Sequence, residues 1–495
     1  MGTVSSSAAA AEVPDGNSKI QQYGPSKQSG FSLPPGPRGW PLLGNLPQLM
    51  GSRKQAQETI SELSRRYGKI VRIDLAGTRV VVLHGHRAVK AAFAQRQLSA
   101  RPKFHITDTI IPGTGILGSS GNEWTEIRAF IITVLKGQGI GRSGFEQNIA
   151  AEAAILAEAM SQHNGRAFDP RHLISNAVSN IICSVVFGRR FQYSDPAFER
   201  LLRLLTDMIA EAGAGGLFEF SPVFVKLWFL PPLLSYIRAI KSYYSHVRVL
   251  FQEHGRQDLK GSPRDLIDVF FHEKQEKERV GVKSPALQTE NLLRILTDLF
   301  GAGTETTATT LRWAMLYMMG HPEIQSRVQR ELDGVTGRNR LPRIADKPEL
   351  PYTKAVLCEI QRVATVVPLG LSHRCSEDTT LMGYKIPKGT IINANIWHNH
   401  FDPLVWEEPE KFRPERFLDR AGKFRPREEL IPFGTGRRSC PGEHLAKMEL
   451  FIFFTHLLHH FTFKRANDAS PISFEGRNGV VWSPLNFQIC AVARE

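Results

Sequence analysis

The chain has 495 residues, 42% of them hydrophobic and 22% charged, a globular balance that excludes a disordered or fibrous protein. Lys and Arg number 62 against 48 for Asp and Glu, a formal charge of +14, which favours acidic partners or anionic surfaces without choosing among them. Basic and acidic residues are interleaved, with no aromatic-studded basic stripe or zinc-finger spacing, so nucleic acid is not an expected partner.

Residues 1 to 33 are rich in Ser, Ala, Gln and Gly and hold no apolar run. They read as a flexible N-terminal tail with neither signal peptide nor spanning helix. Pro34, Pro35 and Pro37 fix φ and open a body expected to run as one domain from 34 to 495, with Trp40, Leu42, Leu43 and Leu46 beginning its core. Residues 69 to 83, KIVRIDLAGTRVVVL, predict a hairpin turning at Ala76-Gly77. Helical periodicity follows at 145 to 163, 171 to 187, 199 to 213, 236 to 256, 289 to 319, 321 to 334, 350 to 364 and 442 to 461. Short strand-like pieces recur at 379 to 394 and near the C-terminus, so the expected class is mainly α with small β-sheets. The apolar stretch 217 to 237 carries Pro222, Pro231 and Pro232, which forbid a continuous spanning helix. It fits a membrane interface or an apolar loop folded on the core.

Five scattered cysteines with no CxxC pair argue against a disulfide framework, a structural zinc site or an iron–sulfur cluster. Only Cys440 has distinctive surroundings. In FGTGRRSCPG, residues 433 to 442, it lies between Gly436 and Gly442 with Arg437 and Arg438 just before it and an apolar helix after it. Glycines let a backbone approach a flat ligand and aim N–H groups at a thiolate. The arginines and the helix start are expected to lower the thiol pKa. Such a thiolate is a nucleophile or a metal ligand; no His nearby in sequence serves as an obvious base.

Phe433, Gly436, Arg438, Cys440 and Gly442 match the pattern F-x-x-G-x-R-x-C-x-G, and through it the chain resembles the cytochrome P450 superfamily. The resemblance implies the cytochrome P450 fold and a haem b cofactor, with Cys440 as axial ligand to its iron. Phe433 would pack beside the sulfur, and Arg438 would pair with a haem propionate. The segment Gly301-Ala302-Gly303-Thr304-Glu305-Thr306-Thr307 lies in the middle of the 289 to 319 helix, where each glycine costs about 1 kcal/mol relative to alanine. It is similar to the family's oxygen-binding segment. That similarity places Ala302 and Gly303 at the cofactor and makes Glu305 and Thr306 the acid and alcohol that relay protons. Close helix packing is the other use for the glycines, and capping of its own helix carbonyl the other use for Thr306.

Glu359, Arg362 and Arg416 match the family's Glu-x-x-Arg pair and its third, supporting member. Trp124 and Arg128 match a helix whose side chains reach propionates, although Thr125 and Ala129 stand where basic residues are common. Arg101 and His373 occupy further propionate positions, with Arg374 as an alternative to His373. Phe104, Ile116, Phe300, Ala302, Val367 and Val481 are the implied pocket walls for a lipophilic substrate.

PPGPRGWPLLGNL, ISNAVSNIICSVVFGRRF, LPYTKAVLCEIQR and GYKIPKGT are similar to animal microsomal family-2 enzymes, which act on fatty acids, steroids and foreign compounds. This implies a monooxygenase that uses O2 and draws electrons from NADPH through NADPH-cytochrome P450 reductase, docked near Arg128 and Lys447. Cytochrome b5 is a further candidate donor. It also implies the cytoplasmic face of the endoplasmic reticulum membrane. Relatives carry an apolar anchor before the proline stretch, which this sequence lacks, so peripheral contact through 217 to 237 is expected. A reductase-independent isomerase or dehydratase and a non-catalytic haem- or lipid-binding protein are the rival readings.

Overall fold

The computed structural model describes residues 32–50, 54–140, 143–215, 229–254, 263–466, 471–477 and 479–494, together with Glu219 and Lys226. Most of the expected tail, and Pro222 and Trp228 of the apolar stretch, lie outside them.

The long periodic segments form helices close to their predicted bounds: Ser143–Ser161, Arg171–Phe187, Pro196–Gly215, Pro231–His254, Thr289–Gly320, Pro322–Thr336, Pro351–Ala364 and Glu443–His460. The last surrounds itself with core: Leu450 to Leu458 are all buried, so apolar residues occupy every face. Pro231 and Pro232 are less disruptive than expected. They occupy the first turn of Pro231–His254, where an N–H has no helical partner to lose. The central helix, Thr289–Gly320, is 32 residues long and packs against Arg171–Phe187 and Glu443–His460 around one main core.

Ile70–Leu75 and Thr78–Leu83 pair antiparallel across the predicted turn. Ile391–Ala394 then joins Thr78–Leu83 in parallel, and His373–Arg374 completes the four-stranded sheet. Beyond that edge Arg374 N–H donates to the Ala100 carbonyl at 2.7 Å, so the sheet brings Arg101 and His373 to one place.

The start of the core is a correction. Trp40, Leu42 and Leu43 are exposed, Leu42 by 94%. Trp40 and Gly44 pair their backbones, and Asn45 N–H donates to Asp74 O, so this tight turn is anchored by main chain while its apolar side chains face outward.

Candidate functional site

The cysteine loop is drawn closed by Cys440 N–H donating to the Phe433 carbonyl at 2.9 Å, and Gly442 caps the Glu443–His460 helix that follows. Gly436 has φ +75°, and a Cβ there would stand 2.3 Å from the Phe93 carbonyl oxygen. Its missing side chain therefore makes room for protein backbone, the His86–Ala94 helix, and not for a flat ligand.

The thiol pKa departs from expectation. Cys440 is accessible to solvent, yet protein atoms surround its cleft, and burial, the largest influence, raises it. The Gly442 N–H and the Arg128 charge oppose this, while Glu443 adds to it. Arg437 and Arg438 do not reach the sulfur. Both guanidinium groups lie over the Trp124 ring, at 6.0 and 4.2 Å from its centroid, and Arg438 donates to the carbonyls of Ser99 (2.8 Å) and Ser119 (2.6 Å).

Arg101, Trp124, Arg128, His373 and Arg438 gather beside the loop. Arg101 is buried and donates to the carbonyls of Leu371 and Ser372 at 3.1 and 2.7 Å. Burial pulls its pKa down to about 10. Arg438 is pulled to about 9 by burial and then by Arg101, Arg128 and Arg437, all charges of its own sign. Arg101 Nε and Arg438 Nη1 are buried without a hydrogen-bond partner. Cations of one sign gathered without a counter-charge, each with a donor left over, are costly alone and fit a ligand carrying two carboxylates. His373 stacks on Phe93 with ring centroids 4.0 Å apart. Its Nδ1 donates to the Leu98 carbonyl at 2.8 Å, while burial and Arg101 hold its pKa near 3, so the ring is neutral.

On the central helix, Ala302 and Thr306 stand one turn apart on an accessible face, and the Thr306 hydroxyl donates to the Ala302 carbonyl at 2.8 Å. Glu305 accepts from Thr309 Oγ1 at 3.2 Å. Burial raises its carboxyl pKa, opposed by Arg312, Thr309 and Arg171. Gly303 does not face the same way. A Cβ there would come within 2.5 Å of Ile182 Cδ1 on Arg171–Phe187, so helix packing accounts for this glycine. Phe300, expected in the pocket wall, is 1% exposed in the main core, about 200° round the helix from Ala302. Ile116 and Val481 are buried, Phe104 and Val367 half-buried.

Behind the loop, Arg362 grips Glu359 with two hydrogen bonds of 2.8 Å, both side chains wholly buried, and Arg416 Nε reaches the same carboxylate at 3.0 Å. Arg413 N–H adds a fourth donor at 2.8 Å. Two buried groups escaped the sequence reading. Glu449, near Thr307, has its pKa raised well above the usual range by burial. His400 is wholly buried and joins the Arg362 network to the chain entering the cysteine loop. His400 lies on the short helix Ile396–Phe401 and Glu449 on the apolar helix Glu443–His460, neither within a motif of its own, so only contacts reveal them. A cleft of about 740 Å³ between His86–Ala94 and residues 425 to 429 contains no candidate residue, whereas a smaller groove of about 320 Å³ is lined by Trp124, Arg128 and Arg437.

A family model described as "Cytochrome P450" matches residues 34–491. Cytochrome P450 2J2 of Homo sapiens is 38% identical over 469 residues, covering 93% of this chain and 91% of its own length. Cytochrome P450 2D6 of Homo sapiens is 39% identical over 469 residues, 93% of each chain. Cytochrome P450 2J5 of Mus musculus is 38% identical over 471 residues, 94% of this chain and 92% of its own.

Proposed function

The chain belongs to the cytochrome P450 family, and from that premise we propose that it inserts one atom of O2 into a lipophilic fatty acid, steroid or foreign compound, the other atom leaving as water. Members of the family are oxidoreductases that carry haem b and consume O2 with electrons originating in NADPH. The observation that carries the reading is the cluster of Arg101, Arg128 and Arg438 beside Cys440, with two buried guanidinium N–H groups lacking partners.

Arg101 and Arg438 would hold the haem propionates, with Arg128 and Trp124 completing that side and Cys440 ligating the iron. When bound, the haem supplies the electron-transfer and O2 chemistry, which thiolate ligation tunes toward O–O cleavage. Burial works against a free Cys440 thiolate, so Cys440 would give up its thiol proton only as it took up the iron. His373 has its one proton committed to Leu98; a propionate that offset the neighbouring arginines would let the ring take a second proton and donate from Nε2. Phe433 and Gly442 shape the loop, Gly442 by aiming its N–H at the sulfur.

Glu305 and Thr306 are the proton-handling pair of this reading. The raised Glu305 carboxyl retains its proton to higher pH than an exposed glutamate, and the Thr306 hydroxyl turns from the Ala302 carbonyl to pass a proton on. Phe104, Ile116, Ala302, Val367 and Val481, all apolar, would line a pocket suited to a lipophilic substrate. NADPH-cytochrome P450 reductase is the proposed electron donor, with cytochrome b5 as a second, docking on the face bearing Arg128 and Arg437; Lys447 there is already paired with Glu443 at 2.6 Å. Exposed Phe229 and Leu230 support peripheral contact with the endoplasmic reticulum membrane, and no helix among the described residues is long and apolar enough to cross it.

The ferrous carbon-monoxide difference spectrum tests the core of this. The wild type is expected to show a strongly red-shifted Soret band that Cys440→Ala loses, and reductase-dependent NADPH oxidation with a lipophilic substrate follows. An unshifted band in the wild type would overturn thiolate ligation.

A further inference from the structure

His400 links two regions that are far apart in sequence. Its ring is 0% exposed. Ile431 N–H donates to Nε2 at 3.0 Å. A backbone N–H only donates, so Nε2 keeps its lone pair and the ring proton sits on Nδ1. That proton meets Thr365 Oγ1 at 2.9 Å, and the Thr365 hydroxyl donates onward to the Arg362 carbonyl at 2.5 Å. The His400 carbonyl in turn accepts from Arg362 Nη1 at 2.8 Å. Ring and carbonyl are thus both tied to the arginine that grips Glu359, while the far ring nitrogen holds Ile431, two residues before Phe433, whose carbonyl accepts from Cys440 N–H.

Thr365 supplies an independent sign that this connection is under tension. It ends the Pro351–Ala364 helix at φ 36°, ψ 57°, a left-handed conformation that a β-branched residue adopts only when its surroundings impose it. Its hydroxyl is held on both sides, by Arg362 O and by the His400 ring. The Arg362 guanidinium, backed by Glu359 and Arg416, is the charge that acts on the ring. Burial and that charge hold the imidazole pKa at about 3, so one neutral tautomer persists across the working range.

We propose that His400 is a positioning residue for the cysteine loop, transmitting the rigidity of the Glu359–Arg362 pair through a single ring tautomer to Ile431 and so fixing the loop that presents Cys440. The proposal rests on Cys440 being the iron ligand. It assigns His400 no contact with substrate or cofactor.

The test compares three variants as haem-loaded full-length protein, reading the ratio of unshifted to red-shifted Soret band in the ferrous carbon-monoxide spectrum beside the urea midpoint. His400→Gln places an amide oxygen where it accepts from Ile431 N–H, His400→Asn retains only the donor to Thr365, and His400→Phe keeps ring shape alone. Leaving a buried N–H unsatisfied shifts an equilibrium by about tenfold or more. The unshifted fraction relative to the shifted is therefore expected to rise about tenfold in His400→Phe and His400→Asn and to stay near wild type in His400→Gln. Where His400→Phe does not fold, the Gln–Asn contrast carries the result. Equal ratios in all three, or a fall in urea midpoint with the spectrum unmoved, overturn the proposal and leave His400 as ordinary core. A wild type with no red-shifted band would instead refute the assignment of Cys440.

Discussion

Alanine at Gly303 and alanine at Gly301 should have unequal effects, although the two glycines lie two residues apart on one helix. Each substitution gains about 1 kcal/mol of helix propensity. At Gly301 the new methyl would meet Leu205 Cδ1 at 3.5 Å and the Tyr243 hydroxyl at 3.8 Å, ordinary contacts, so the gain stands. At Gly303 it would lie 2.5 Å from Ile182 Cδ1 and 2.9 Å from Cγ1, and Ile182 must move by about 1 Å within a buried helix contact. Overpacking of this kind costs about 1–3 kcal/mol, which equals or exceeds the propensity gain. The two variants should therefore differ by about 1–3 kcal/mol in urea unfolding of the haem-loaded protein, Gly301→Ala above wild type and Gly303→Ala level with it or below. In an Ile182→Ala background the penalty disappears and Gly303→Ala becomes favourable. The reasoning is refuted if Gly303→Ala stabilises as much as Gly301→Ala while altering the Soret band, for then the glycine serves the cofactor face and not the helix contact.

Glu359→Gln leaves two guanidinium groups, Arg362 and Arg416, in the interior without a carboxylate, and should cost about 3–5 kcal/mol in chemical unfolding; a loss below about 1 kcal/mol would show that the pair is not isolated from water. Arg438→Leu relieves repulsion among like charges but leaves the Ser99 and Ser119 carbonyls without their donor, so apoprotein stability should move by less than about 2 kcal/mol while haem transfers faster to an acceptor globin; unchanged haem retention would remove Arg438 from the propionate site. Glu449, with its pKa raised in the folded state, binds a proton that the unfolded chain releases above about 4.5, so wild-type stability falls as pH rises through that window. Glu449→Gln should match wild type at acidic pH and become progressively more stable than it above pH 4.5, and parallel pH profiles for the two proteins would contradict the assignment.

What the sequence determined by itself were features that depend on near neighbours or on a motif. Helix bounds followed from apolar spacing, the hairpin from its Ala76-Gly77 turn, and the Glu359–Arg362 pair from two residues one helical turn apart. Cys440, Arg438 and Phe433 were found together because one loop carries them all. Tertiary structure decided whatever depends on what approaches from elsewhere in the chain. Gly303 looked like space for a cofactor, but a neighbouring helix brings Ile182 to it. Gly436 gives way to the Phe93 carbonyl, and Arg437 and Arg438 turn to Trp124 and two serine carbonyls, leaving burial to raise a thiol that their proximity in sequence seemed to lower. The apolar Trp40, Leu42 and Leu43 face outward because backbone pairing, invisible in hydropathy, fixes their turn. His400 was silent for the same reason. A histidine acquires its tautomer only from its partners, and here those partners are Thr365 and Ile431, each more than thirty residues away.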